Sequence, residues 1–118
     1  MIEGTVTLEG VPLVYLPVHG QTWLAIIDTG FNGALELPER LRPLLPHSYA
    51  GLVSSVLAGG HRLREESYRV EFPFDGETIR PHATFAPVNE ILIGTRLLRD
   101  YRLEIDFPAR TVRLERVR

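Results

Sequence analysis

Apolar residues in this chain recur at every second position or in short unbroken runs. No long segment shows the three-to-four spacing of an amphipathic helix. Tyr68, Val70, Phe72 and Phe74 alternate with Arg69, Glu71 and Pro73, the clearest period-two stretch. The pattern predicts strands over residues 5–8, 11–18, 22–27, 34–37, 53–56, 68–74, 78–85, 91–93, 103–107 and 111–115. Pro12 and Pro17 fit the ends or the open side of the second strand. Turn signals separate the runs at Glu9-Gly10, His19-Gly20-Gln21, Asp75-Gly76 and Pro108-Ala109-Arg110, and Gly59-Gly60 suits the tip of a hairpin. Two helical turns are expected, at Pro38-Glu39-Arg40-Leu41 and over Thr95 to Asp100, the latter with Thr95 as its N-cap. No linker or repeat interrupts the chain. The expectation is one mostly-β domain over residues 1–118 with one or two short helices.

Composition narrows the function. With 118 residues, 44% of them hydrophobic and 24% charged, the chain can bury a core and is not disordered. There is no cysteine, which excludes disulfides, thiolate metal sites and a cysteine nucleophile. The net charge is −2 and the 13 basic residues, all arginine, are spread along the chain, so neither nucleic acid nor a membrane is an expected partner. No secretory signal opens the sequence and no apolar run approaches the ~20 residues of a membrane helix; a cytoplasmic location is the expectation. His19, His47, His61 and His82 are scattered without an i,i+4 pair, so no metal site and no cofactor are expected. Ser54-Ser55 lacks the glycine-flanked elbow of a serine hydrolase, and Gly59-Gly60 has no lysine after it to hold a phosphate.

One carboxylate stands out. Asp28 follows Leu24-Ala25-Ile26-Ile27 with no polar spacer and precedes Thr29-Gly30. An acid at the end of a strand buried on both faces is costly unless it is hydrogen-bonded, shared or protonated. Thr29 offers a hydroxyl and Gly30 permits close backbone approach. Asp-Thr-Gly is also an ordinary turn sequence, and the tripeptide alone does not distinguish the two.

Its surroundings do more. Ala25-Ile26-Ile27-Asp28-Thr29-Gly30, Ala58-Gly59-Gly60, Glu90-Ile91-Leu92-Ile93-Gly94 with the turns that follow, and Tyr101-Arg102-Leu103-Glu104-Ile105-Asp106 occur in that order across about residues 5–115. In order and spacing the chain resembles the retropepsin-like aspartic proteases, the single-lobe relatives of pepsin, and their bacterial members in particular. The resemblance implies a closed acid-protease β-barrel and a homodimer with one Asp28 from each copy at the two-fold axis. Two carboxylates about 3 Å apart cannot both ionise, so the pair holds one proton and activates one water against a peptide bond. It further implies that Asp28, Thr29 and Gly30 form the catalytic loop. Gly30, Asn32, Ala58, Gly59 and Gly60 would meet an extended peptide or protein substrate, the last three at a hairpin flap.

Three positions depart from the family. Phe31 replaces the usual alanine or serine, and either packs in the core or narrows the cleft. Asn32 and Thr95 stand where retroviral members carry an acid and an arginine that pair, so both charges are exchanged for neutral hydrogen-bonding groups. Thr111 to Glu115 adds a strand expected to pair with Leu103 to Phe107, where retroviral dimers interleave their termini. A catalytically inactive peptide-binding or dimerisation module on the same fold is the alternative reading.

Overall fold

A computed structural model describes residues 1–56 and 59–118. Twelve strands follow in chain order: β1 Ile2–Val6, β2 Pro12–Val18, β3 Gln21–Ile27, β4 Leu35–Pro38, β5 His47–Val56, β6 Arg62–Val70, β7 Phe72–Phe74, β8 Glu77–Ile79, β9 His82–Ala86, β10 Ile91–Ile93, β11 Tyr101–Asp106 and β12 Thr111–Arg116. A six-residue 3-10 helix, Glu39–Leu44, lies between β4 and β5. Ten strands join in one sheet, in the order β11-β12-β1-β2-β3-β10-β4-β9-β6-β5, and β7 and β8 form a separate hairpin.

Most of the sheet is antiparallel. Two pairs are parallel, β10 beside β3 and β4 beside β9. Alternation decides which side of each strand is inside. On β3, Trp23, Ala25 and Ile27 are buried while Leu24 and Ile26 are half-buried. Trp23, Ala25 and Ile27 join Val14, Leu16, Leu35, Leu37, Ile91, Ile93, Phe72, Phe74, Val112 and Leu114 in one apolar core. Burying side chains of this size contributes roughly 1.5–3 kcal/mol each before chain entropy is counted against them.

The mostly-β expectation holds, with differences of detail. The sheet runs from β11 to β5 as an open sequence of strands, so closure into a barrel is not seen among the described residues. Thr95 to Asp100 is a chain of tight turns rather than a helix. Leu97 N–H donates to Gly94 O, Leu98 N–H to Thr95 O and Tyr101 N–H to Leu98 O, all three-residue steps. The first strand starts at Ile2 rather than Thr5, and Leu8 lies in the following turn. The alternation through Phe74 breaks at Glu71, whose N–H donates to Pro46 O and ends β6. The added C-terminal strand pairs with β11 as expected, and also with β1.

Candidate functional site

The site grows from the end of β3. β10 lies parallel to it, with Ile91, Leu92 and Ile93 opposite Ala25, Ile26 and Ile27. One further main-chain bond, Asp28 N–H to Ile93 O at 2.9 Å, carries the pairing onto Asp28. The strand's alternation therefore puts the half-buried Asp28 on the face that carries Leu24 and Ile26. Here the chain turns: Gly30 N–H donates to Asp28 Oδ1 at 2.9 Å and Phe31 N–H donates to Asp28 O at 3.1 Å. Thr29 and Gly30 are exposed on that turn.

A second segment clamps the turn from behind. Gly94 N–H donates to Ala34 O at 3.0 Å, Thr95 N–H to Phe31 O at 2.8 Å and Arg96 N–H to Gly33 O at 3.2 Å. The approach is so close that a methyl group on Gly94 would lie 2.1 Å from Gly33 O and 2.7 Å from Phe31 O. The Phe31 ring fills the remaining space. Its Cδ2 would be 2.6 Å from a Gly94 methyl and its Cζ 2.7 Å from a Gly33 methyl. Phe31 thus lies half-buried against Gly33 and Gly94, outside the apolar core. Asn32, exposed, meets Thr95 as the paired exchange of charges suggested: Thr95 Oγ1 lies 3.5 Å from Asn32 Oδ1 and 3.4 Å from Phe31 O.

The glycine-tipped hairpin is longer than the alternation indicated. β5 and β6 pair from His47↔Val70 to Val56↔Arg62, with a bulge between Tyr49 and Gly51. The sheet holds this hairpin near its base, where Tyr68 and Arg69 pair with Ala83 and His82 of β9. Gly59 and Gly60 sit at the tip with positive φ, 91° and 82°; Ala58 lies outside the described residues. Leu52, Val53, Val56 and Leu63 are exposed along the arms.

Two acids that the sequence reading passed over lie near this face. Glu36 on β4 is opposite Leu92 on one side and Thr84 on the other. Glu65 on β6 is close enough to act on it: burial first, and then the charge of Glu65, push the Glu36 carboxyl above the usual range. In the sequence, Glu36 looks like a solvent-side residue between Leu35 and Leu37, and Glu65 like half of a solvated Glu-Glu pair. No local signal joins residues 29 positions apart.

Among solved structures, the chain is similar to a retropepsin-like aspartic protease from Rickettsia conorii. The TM-score is 0.63 at 16% identity, over 96% of this chain and 88% of that one. The fold is retropepsin-like. The foamy viral protease-reverse transcriptase, solved in complex with an RNA/DNA hybrid, also carries this retropepsin-like fold, with a TM-score of 0.60 and 18% identity over 80% of this chain. This chain spans 13% of that protein. No family model and no curated protein sequence matches the chain.

Proposed function

We propose that the protein is an aspartic endopeptidase that works as a homodimer. The observation that carries this reading is Asp28, held at the end of β3 by Ile93 of β10 and turned to the half-buried face of a retropepsin-like sheet. In the active form two Asp28 carboxylates, one from each copy, share a proton and hold one water. The ionised member takes a proton from the water as its oxygen attacks the scissile carbonyl. The protonated member donates to the carbonyl oxygen. Collapse of the tetrahedral carbon breaks the C–N bond, and the leaving nitrogen takes a proton, giving an acid and an amine. Thr29 and Gly30 complete the loop, with Thr29 bonding across the axis and the Gly30 carbonyl receiving the peptide. Asn32 meets the peptide beside them. The hairpin, through Ala58, Gly59 and Gly60, closes over a peptide bound as an added strand.

Asp28→Asn tests this directly. It keeps the shape of the side chain and its Gly30 contact but removes the acid–base pair. Peptide hydrolysis is expected to fall at least a thousandfold with the circular dichroism spectrum unchanged; full activity in the variant would overturn the reading.

One observation favours the alternative of an inactive binding module. β1 is already paired on both sides, by β2 and β12, so a sheet of chain termini shared between copies has no free N-terminal strand to use. Light scattering at micromolar concentration separates the two, since a strict monomer favours the module.

A further inference from the structure

Register places five residues in one row across neighbouring strands: Leu13 on β2, Ile26 on β3, Leu92 on β10, Glu36 on β4 and Thr84 on β9. The row lies on the same face as Asp28, two residues beyond Ile26 on its strand. Glu36 is its single charge. Strands about 4.8 Å apart and a rise of about 3.3 Å per residue put Glu36 roughly 12 Å from Asp28, a span of three to four residues of extended peptide.

We infer that Glu36 and Glu65 form an acidic subsite that binds an arginine or lysine side chain of a peptide lying along the Asp28 face. The inference rests on the proposed peptide cleft and names the substrate class that the cleft prefers. Neither acid has an ion-pair partner among the described residues. The rest of the row offers no compensating charge: Leu13, Ile26 and Leu92 are apolar and Thr84 is neutral. Two unpaired carboxylates on a half-buried face repel each other, and a cation set between them relieves both. The apolar neighbours suit the stem of a long basic side chain, which covers such surface while its charged head reaches the acids.

A third polar group points the same way. Ser67 is 4% exposed. Alternation along β6 turns it to the same side as Glu65. By the β6–β9 register, its place in the row follows that of Thr84. A guanidinium has five donors for two carboxylates and a hydroxyl, and lysine has three. Burial raises the Glu36 carboxyl and the charge of Glu65 adds to it, a push that a cation set beside the two acids would oppose.

The experiment uses labelled octapeptides that carry one arginine, or its neutral isostere citrulline, at each position in turn. Their binding to the full chain carrying Asp28→Asn is read by fluorescence anisotropy. Arginine is expected to bind about tenfold tighter than citrulline at one or two positions. Glu36→Gln and Glu65→Gln should each cut that ratio severalfold, and together bring it to one. A ratio of one at every position, or a ratio that survives both substitutions, overturns the subsite. Glu65 lies on the projecting hairpin, so Glu65→Gln decides the matter alone if Glu36→Gln fails to fold. A glutamate-dependent arginine preference in a protein whose unsubstituted form cleaves nothing keeps the subsite and removes the peptidase reading. Cleavage without any such preference does the reverse.

Discussion

Gly94 shows how narrowly the Asp28 loop is built. Two main-chain oxygens, Gly33 O and Phe31 O, occupy the space a side chain would need, and neither belongs to a flexible tip that can swing away. Gly94→Ala is therefore expected to destabilise the fold by about 3 kcal/mol or more, with urea unfolding as the measurement. Phe31→Ala should cost about 2 kcal/mol, below the value for a fully buried ring because Phe31 is half-exposed; a variant as stable as the parent would show that the ring does not hold the turn. Glu36 gives a pH test. A carboxyl raised on folding binds its proton more tightly folded than unfolded. Its contribution to stability is then full below the ordinary glutamate range and is lost as pH rises through the raised value. Glu36→Gln should be more stable than the parent near neutrality and equal to it in acid, by urea unfolding across pH. An advantage that persists unchanged in acid contradicts this.

At the scale of elements, the hairpin β5–β6 is the proposed closing flap. Its outer rungs, from Leu52↔Glu66 to Val56↔Arg62, bond to each other, while the pairing with β9 is at Tyr68 and Arg69. Hydrogen exchange should be faster in the outer rungs than at 47–49 and 68–70, and equal protection throughout would argue against a closing flap. The same hairpin marks where the sequence was hard to read. β11 and β12 were legible from their alternation, and β3 from its unbroken apolar run, although its Leu24 and Ile26 are half-buried rather than fully enclosed. The lower arm of β5, His47 to Leu52, is exposed on both sides apart from the half-buried Gly51, so no periodic pattern is imposed on it. β1 was misplaced for another reason. Gly4 reads as a strand breaker, yet a methyl there would lie 2.0 Å from Leu13 O, so close pairing with β2 requires the glycine. The Asp28 turn and Gly94 were foreseeable from local motifs, and the meeting of Asn32 with Thr95 from the family resemblance. The Glu36–Glu65 pair was not, because it exists through the order of strands.

Over the whole molecule, the two ends of the sheet differ. β11 carries Arg102, Glu104 and Asp106, all exposed, which discourages strand pairing along that edge. β5 carries no Asp, Glu, Arg or Lys. With β1 enclosed between β2 and β12, the exposed Thr29-Gly30 turn is the natural meeting point of the proposed dimer. That proposal is tested most directly by mixing. Unsubstituted protein and Asp28→Asn are combined at constant total concentration, allowed to exchange, and assayed for peptide hydrolysis. If each active centre needs an Asp28 from both copies, activity falls as the square of the unsubstituted fraction, to about a quarter at an equal mixture. A linear fall, with half the activity remaining at that point, would mean that one copy is sufficient and that no shared carboxylate pair exists.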